Sequence, residues 1–410
     1  MKGKRREGRE GSPSFVQYSS DIFRFSRPAR SCSLMSFASR TSRSARFFTA
    51  LATLISLTTP VFAGESRKII EWGWGTPETT YVRAHIREME RLPFDGLGLD
   101  LKVNGGPPDT SGRFSWKVWG TKALSRDDYA EAIEALRATR FERFTDNFLR
   151  FNVTPGHIDW YDQGFSSVQA NARLAARIAK ECRLKGLLFD VEHYTGKPFF
   201  YSTRPHKAEH SFAEYQKQVR QRGREFMQAL NAEYQDITIL LTYGYQVAYQ
   251  EVSLFKSLAS VEYGLLPAFL DGMLDAAGPA TLIFDGWEYA YGYKEDAQFS
   301  KAYDTMIRED LERSSAKDQF RRHYRASFGL WVDNKDKWDP KDFSANYFSP
   351  AEFEQSVRFA LKHTDRYVWI YSQKARWWDG QVPQAYIDAL TRARESQASD
   401  VALKRRDARD

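Results

Sequence analysis

Short apolar segments alternate with helical segments along most of this chain, and no other feature limits the fold as strongly. From residue 69 onward, eight apolar runs are each followed by a segment with helical spacing. Because these runs are apolar on both faces, they are typical of buried parallel strands. They cover residues 69–74, 96–103, 147–153, 186–191, 236–242, 280–285, 327–332 and 367–371. Eight such units in one domain predict an α/β fold, a (β/α)8 barrel of the TIM-barrel type, over residues 64–398.

The main alternative is an open, doubly wound sheet. No Gly-x-Gly-x-x-Gly follows the first apolar run, and no Walker sequence is present, so a nucleotide-binding sheet of that kind is disfavoured. The intervening segments predict helices with ordinary start signals, such as Ser125 before one helix and Ser349-Pro350 before another. The predicted helices cover residues 78–92, 125–139, 166–184, 210–234, parts of 248–276, 298–317, a segment from 350, and 383–396.

The two ends of the chain are predicted to lie outside the barrel. Residues 1–34 are basic and Ser-rich without periodicity, and we expect a disordered, over-extended start. Residues 35–63 have three arginines, a short apolar stretch over 47–57, and Val61-Phe62-Ala63, which predicts a signal peptide cleaved near Ala63-Gly64. The protein is therefore expected to be secreted or periplasmic, with no stable membrane insertion after cleavage; an uncleaved anchor is the alternative. Residues 399–410 form a charged tail that is expected to fray.

The net charge of +7 belongs to the leader. Residues 1–63 contain 11 Lys or Arg and 3 acidic residues, so the other 347 residues contain 49 basic and 50 acidic ones. A nearly neutral mature chain gives no reason to expect nucleic acid or an anionic membrane as a partner. Aromatic residues make up 15% of the sequence, including 11 Trp, and many lie near predicted strand ends, which favours a carbohydrate ligand.

The run KGLLFDVEHY at residues 185–194 contains the most informative pair of acids. Residues i and i+2 of a strand point to the same side, so Asp190 and Glu192 share one face at the strand end. Two carboxylates in a dry site resist carrying two negative charges, and the pKa of one of them rises. Glu192, which reaches further, is the candidate proton donor, and Asp190 would orient it or hold a substrate amide. The alternative is a structural pair that binds backbone N–H groups.

Active sites of barrels lie at the carboxyl ends of the strands, so the residues at those ends are candidates for substrate binding. Acids, aromatics and amides predominate among them, as glycoside hydrolysis requires. The predicted substrate-binding residues are Trp72, Trp74, Asp100, Asn152, His193, Tyr243, Tyr245, Trp287, Trp331, Asp333, Tyr371, Gln373, Arg376 and Trp377.

The sixth run, within FDGWEYAYGY at residues 284–293, supplies a second carboxylate. Either Asp285 or Glu288 is a candidate catalytic partner for Glu192, and Asp333 is a third. A carboxyl separation of about 5 Å would predict retention of configuration and about 6.5–9.5 Å inversion. The sequence does not choose between Asp285 and Glu288.

Metal chemistry and serine-nucleophile chemistry have weaker signals. His193, His157 and Asp159 invite a metal site, but no His-x-x-x-His or pair of cysteines is present. No Gly-x-Ser-x-Gly sequence occurs either. We therefore predict neither a metal nor another cofactor.

On these motifs, residues 67–396 resemble secreted (β/α)8 glycoside hydrolases. The segment Trp369-Ile-Tyr-Ser-Gln-Lys-Ala-Arg-Trp-Trp is similar to their last strand, where aromatic residues form the floor of the subsite for the scissile sugar. Asp190-x-Glu192 is similar to the end of the chitinase-type motif Asp-Gly-x-Asp-x-Asp-x-Glu, of which only the last two acids are matched. That resemblance implies that Glu192 is the acid and Asp190 assists a substrate N-acetyl group. Barrel glycosidases with acids on strands four and six are also similar, and they imply Asp190 with Asp285.

The predicted function is that of an exported glycoside hydrolase that cleaves a poly- or oligosaccharide with two carboxylates, with carbohydrate as its partner. One alternative is a carbohydrate-binding barrel without catalysis, which the amide of Gln373 among many acids would suit. A metal-dependent hydrolase or lyase is the other alternative.

Overall fold

The computed structural model describes residues 66–107, 109–253 and 255–407. Nine strands, β1 to β9, are Lys68–Glu71, Gly96–Leu99, Phe148–Asn152, Gly186–Asp190, Thr238–Leu241, Leu282–Asp285, Tyr324–Ala326, Phe328–Trp331 and Tyr367–Tyr371. The helices α1 to α11 are Thr79–Met89, Ala130–Ala138, Phe165–Glu181, Phe212–Glu233, Gln246–Tyr249, Leu266–Asp275, Asp296–Asp304, Asp310–Arg313, Lys317–His323, Pro350–His363 and Gln384–Asp407.

The strands form one all-parallel sheet that closes on itself. Its order is β7-β6-β5-β4-β3-β2-β1-β9-β8, and β1 pairs with both β2 and β9. The two ends of this order, β7 and β8, are separated in the chain by Ser327 alone, so together they occupy the place of a single seventh strand. The Ser327 N–H donates to the Asp285 carbonyl at 2.8 Å and so keeps this strand attached to β6. The predicted (β/α)8 barrel is therefore confirmed.

Alternate residues of each strand fill two separate cores. Ile70, Leu188, Leu240, Phe284 and Trp369 belong to an inner cluster that fills the barrel. The residues between them on the same strands, for example Leu187 and Phe189, pack outward against the helices. Because both faces are buried, the strands are apolar throughout, and the closely packed interior leaves room for ligands only at the mouth.

Most predicted helices are present, with differences at their ends. Ser125 accepts a hydrogen bond from the Asp127 N–H, but a 3-10 turn, Arg126–Tyr129, precedes α2. Ser349 and Glu352 form the reciprocal cap of α10. The helix predicted over 298–317 is instead two helices, α7 and α8, joined by the π-helical segment Thr305–Glu309. The closing helix α11 continues to Asp407, beyond the predicted end at 396.

The predicted leader, residues 1–63, lies outside the residues that the structure describes, so the signal peptide remains a prediction. Within the described part of the chain, no helix is both long and apolar enough to cross a membrane.

Candidate active site

Three side chains from the end of β4 form a hydrogen-bonded cluster at the barrel mouth. The Tyr194 hydroxyl lies 2.8 Å from Asp190 Oδ2 and 2.6 Å from Glu192 Oε2. The Glu192 N–H donates to Asp190 Oδ1 at 2.9 Å, and the Thr242 hydroxyl lies 3.5 Å from the same oxygen. Asp190 is buried, whereas Glu192 and Tyr194 are partly exposed. The predicted pairing of Asp190 with Glu192 on one face is present, and Tyr194 connects the two.

The position of Tyr194 indicates that this pair of acids holds a proton. A phenol has a single hydrogen, so Tyr194 cannot donate a full hydrogen bond to both carboxyl groups. One hydrogen shared between two anions forms two weaker bonds, so a proton on one of the carboxyls would strengthen the arrangement. Asp190 already accepts from a backbone N–H, which stabilises it as the anion and leaves Glu192 as the better site for the proton. Burial, followed by the charge of Asp190, raises the pKa of Glu192 to about 8.

Glu288 is the second carboxylate that the structure brings to this cluster. Its N–H donates to the Thr242 carbonyl at 3.3 Å, while the Thr242 side chain faces Asp190. The Tyr243 hydroxyl lies 3.4 Å from Glu192 Oε1 and also faces Glu288. Glu288 Oε2 is buried and has no hydrogen-bond partner among the described residues. Burial and then the charges of Glu192 and Asp190 raise the pKa of Glu288 well above its ordinary value.

Asp285, the other acid of the sixth run, accepts hydrogen bonds from one backbone group and one side chain of the protein. It is fully buried, and its oxygens accept from the Trp287 N–H and the Tyr324 hydroxyl, each at 2.9 Å. Burial raises its pKa to about 6. Both Asp285 oxygens therefore already have protein donors, whereas Glu288 is the sixth-strand acid whose charge acts on Glu192.

The turn from β6 to Glu288 is backbone-strained. Trp287 has φ 40° and ψ 61°, a left-handed conformation that is uncommon for a bulky residue. A side chain on Gly286 would place its Cβ 1.9 Å from the Leu241 carbonyl oxygen, so only glycine fits there. Strain of this kind is stored mostly at functional sites. Here it turns the chain so that Glu288 faces the acids of β4.

Two groups of aromatic residues, all partly exposed except the buried Tyr371, lie near the cluster. Trp116 lies between Trp74 and Tyr194, with ring centroids 6.2 Å and 5.2 Å apart, respectively. In the second group, Tyr291 stacks on Tyr371 at 5.4 Å, and the Trp331 ring meets both. Flat rings near a group of carboxyls suit the C–H faces of a sugar.

Several predicted substrate-binding residues lie near this mouth. Asn152 is aligned with Asp190 across β3 and β4 and points the same way. Gln373, partly exposed, accepts from the Tyr371 hydroxyl at 3.3 Å. Arg376, also partly exposed, lies beside Gly75, after β1. Trp72 lies deeper, where it contacts Trp369 in the inner cluster at 4.5 Å.

Other predicted residues are buried, and the polar atoms of Tyr245 and Asp100 already have protein partners. The Tyr245 hydroxyl donates to Asp271 in α6, and Tyr245 is fully buried. Asp100 accepts from the N–H and hydroxyl of Ser115. Trp287 and Trp377 pack into the outer core, where Trp377 meets Phe94 edge-on at 5.0 Å.

His193 is held in the loop next to Glu192 and faces away from it. Its Nε2 accepts from the Phe199 N–H at 3.4 Å, so Nδ1 carries the hydrogen and donates to Glu262 at 3.1 Å. The ring stacks on Tyr263 at 4.1 Å. Because both ring nitrogens already have protein partners, the substrate-binding role predicted for His193 would require one of these contacts to be broken.

Asp333 anchors the loop after β9. It is fully buried and accepts from the N–H groups of Gln373, Lys374 and Ala375 and from the Trp331 indole. Its predicted roles as a substrate ligand or third catalytic acid do not fit a carboxylate with this many protein donors. Asp333 instead fixes two residues of the mouth, Trp331 and Gln373.

We expect Asp333→Ala to lower the free energy of unfolding by about 3 kcal/mol, because several buried donors lose a charged acceptor. Urea denaturation followed by tryptophan fluorescence measures this loss. Asp318→Ala, at an exposed position, is the matched control and should change stability little. If the two variants were equally stable, Asp333 would not be the anchor of this loop.

Sequence reasoning missed Tyr194, Trp116, Tyr291 and Arg150. Tyr194 continues the spacing of two that starts with Asp190 and Glu192, and Tyr291 is part of the quoted sixth-strand segment, so both had a readable signal. Trp116 lies in a long connection after β2 and had none. No group of three or more His, Cys, Asp or Glu side chains in the described ranges is arranged to hold a metal ion.

The chain matches no family model and no curated protein sequence. Solved structures of glycoside hydrolases are similar to it at low identity. A GH18 chitinase from Pseudoalteromonas aurantia is 12% identical, with a TM-score of 0.41, over 80% of this chain and 99% of that one. An endoglucanase from Xanthomonas campestris is 13% identical, with a TM-score of 0.41, over 80% and 94%. A glucosidase from Croceicoccus marinus is 9% identical, with a TM-score of 0.45, over 82% and 70%. Because these TM-scores are below 0.5, the chain is not assigned to any of these families, and its function is inferred from its own site.

Proposed function

We propose that the protein is an exported glycoside hydrolase in which Glu192 is the proton donor. The observation that carries this proposal is the Tyr194 hydroxyl, which contacts both Asp190 and Glu192, an arrangement that one proton held by the pair would stabilise. A protonated carboxyl at the barrel mouth, near aromatic surfaces, is the group that a glycosidic oxygen needs as it leaves. Export rests on the signal peptide that residues 35–63 predict.

In this mechanism Asp190 remains ionised and keeps the proton on Glu192. Glu288, from the other side of the cluster, is the second carboxylate and acts on the anomeric carbon directly or through water. To do so Glu288 must lose its own proton. Water takes that proton, and the positive charge that develops on the sugar in the transition state would stabilise the carboxylate that is left, whose Oε2 has no protein partner among the described residues.

The raised pKa of Glu288 favours one second candidate. If Glu288 stays neutral throughout, it can only donate a hydrogen bond, and the nucleophile must come from the substrate. An N-acetyl group oriented by Asp190 would supply it, in line with the chitinase-type resemblance of Asp190-x-Glu192. The substrate would then be restricted to N-acetylated sugars.

Reducing ends released from a broad panel of polysaccharides test the proposed function, with the Glu192→Gln protein measured beside the wild type. Release by the wild type that is lost in the variant supports a glycosidase with Glu192 as its acid. Equal release by both proteins would overturn the role of Glu192. Binding of glycans without any release would favour a carbohydrate-binding barrel.

Asp190→Asn should move the alkaline side of the pH–rate profile to lower pH by roughly one pH unit. The charge of Asp190 raises the pKa of Glu192, so without that charge Glu192 loses its proton at a lower pH. The profile of kcat/KM against pH measures this. Asp236→Asn, exposed at the opposite end of the barrel, is the control and should leave the profile in place. A profile that does not move in Asp190→Asn would remove Asp190 as the group that keeps the proton on Glu192.

A further inference from the structure

Arg150 places a positive charge inside the barrel. It lies at the centre of β3, between Phe148 and Asn152, and the spacing of two along the strand points all three side chains inward. Phe148 belongs to the inner cluster, and so does Leu188, the partner of Arg150 on β4. A guanidinium among leucine and aromatic side chains is costly unless an anion or several acceptors pair with it.

The protein balances this charge only from a distance. Burial raises the pKa of Glu71, Asp100 and Asp190, and the charge of Arg150 opposes that rise in each. Arg150 Nη2 donates to the Gly73 carbonyl, and Nε is buried without a hydrogen-bond partner. In the described part of the chain, no carboxylate lies within 4.0 Å of the guanidinium. Part of the hydrogen-bonding capacity of Arg150 is therefore unused among the described residues.

The guanidinium also lies at the level of the mouth. Gly73, which it contacts, follows the carboxyl end of β1, and Arg150 is partly exposed. The next inward position on its own strand is Asn152, which is aligned with Asp190. Burial raises the pKa of Asp190 and the charge of Arg150 opposes that rise, so a ligand bound at Asp190 also lies within the electric field of the guanidinium.

We propose that Arg150 binds a carboxylate of the substrate, so that the enzyme acts on polysaccharides or oligosaccharides that contain uronic acid residues. This inference rests on the proposed function and specifies its substrate class. A guanidinium is the side chain best suited to a planar carboxylate, to which it can donate two parallel hydrogen bonds.

The acids of the mouth strengthen the preference of the site for a sugar whose carboxylate is paired with Arg150. A carboxylate that enters beside Asp190 and Glu288 is repelled unless its own charge is paired, and Arg150 is the inward-pointing cation of β3 at that level. A neutral sugar expels water from Arg150 without replacing the lost hydrogen bonds, which costs affinity. A site built for a charged group therefore rejects the uncharged analogue strongly.

Carboxyl-reduced polysaccharides test this, because reduction converts each uronic acid into the neutral sugar with the same linkages. The full-length protein is assayed on acidic polysaccharides and on their reduced forms. We expect kcat/KM on the acidic form to exceed that on the reduced form by about 100-fold. Arg150→Gln should remove most of this preference by slowing the acidic substrate, and Arg150→Lys should keep part of it. Arg83→Gln, exposed on α1, is the matched control.

Three results would overturn the inference. They are equal or faster cleavage of the reduced forms by the wild type, a preference that survives in Arg150→Gln, and a preference for sulfated over desulfated glycans with none for carboxylates. If Arg150→Gln does not fold, as judged by circular dichroism, the wild-type preference and the Arg150→Lys protein still decide.

Binding of oligouronates, measured independently of hydrolysis, tests this inference separately from the proposed function. Quenching of tryptophan fluorescence by oligouronates and by their reduced forms is measured with the wild type and Arg150→Gln. Arg150-dependent binding of oligouronates, in a protein that hydrolyses no glycan, would support the carboxylate site and reject the glycosidase. Hydrolysis of neutral glycans alone would support the glycosidase and reject the carboxylate site.

Discussion

Replacing Glu192 with Gln is expected to lower kcat/KM by about 1000-fold, because a general acid contributes roughly 10²–10⁴-fold to such a reaction. The amide keeps the shape of the side chain, and its NH2 group can still meet the Tyr194 hydroxyl, so the fold should be unchanged. What is lost is the proton that Glu192 gives to the leaving oxygen. Substrates with an acidic leaving group, such as nitrophenyl glycosides, need that proton less and should lose less activity.

The same proton predicts the alkaline limit of the wild-type enzyme. Burial and the charge of Asp190 raise the pKa of Glu192 to about 8, so the acid is protonated below that pH and ionised above it. Activity should therefore fall as the pH rises through about 8, and Glu192→Gln should lose this step together with most of its rate. The measurement is kcat/KM against pH for both proteins.

Glu131→Gln, exposed on α2, is the matched control for this substitution and should behave as the wild type. Two results would contradict the assignment of Glu192. The first is an activity within tenfold of the wild type on natural glycans, and the second is an alkaline limit that persists unchanged in the variant.

The fold was readable from the sequence because it depends on the repeated alternation of apolar runs and helices. The last strand, 367–371, was predicted at the observed residues, and Gly186–Asp190 to within one residue. The seventh strand was predicted only over 327–332, because Arg325 interrupts the apolar run of Tyr324–Ala326. The partners of this segment, β6 on one side and β9 on the other, are distant in sequence, and no local pattern identifies them.

The site was only partly readable, because burial and hydrogen-bond partners decide the role of a strand-end residue. Asp190 and Glu192 were predictable from their spacing within one strand. The choice between Asp285 and Glu288 was not, since it depends on the donors Trp287 and Tyr324 that satisfy Asp285. Arg150 was missed because a single arginine in a strand resembles a solvated residue. Its inward position appears only when its contact with Gly73 and its pairing with Leu188 on β4 are known.

Glu288→Ala is expected to lower kcat by at least about 100-fold and to regain activity when azide is added. Removal of the side chain leaves a small space where the carboxylate would act on the anomeric carbon. Azide, a small anion, can occupy that space and attack in its place. Because azide then displaces the leaving group directly, the product should be a glycosyl azide of inverted configuration, which NMR identifies. A glycosyl azide of retained configuration would mean that azide intercepts a covalent intermediate on another nucleophile, and would contradict the role of Glu288.

Asp285→Ala is the matched comparison for Glu288→Ala, because both residues are buried and both substitutions remove a carboxylate. It distinguishes the roles of the two acids. Asp285 holds the Trp287 N–H and the Tyr324 hydroxyl, so its loss should reduce stability and activity together, and azide should restore neither. Recovery with azide in Asp285→Ala but not in Glu288→Ala would exchange their roles. If instead Glu288→Gln keeps activity within about tenfold, and only N-acetylated sugars are cleaved, the carboxyl of Glu288 acts as a neutral donor. The nucleophile would then belong to the substrate. Asp190 could not replace it, because its oxygens remain bound to the Tyr194 hydroxyl and the Glu192 N–H.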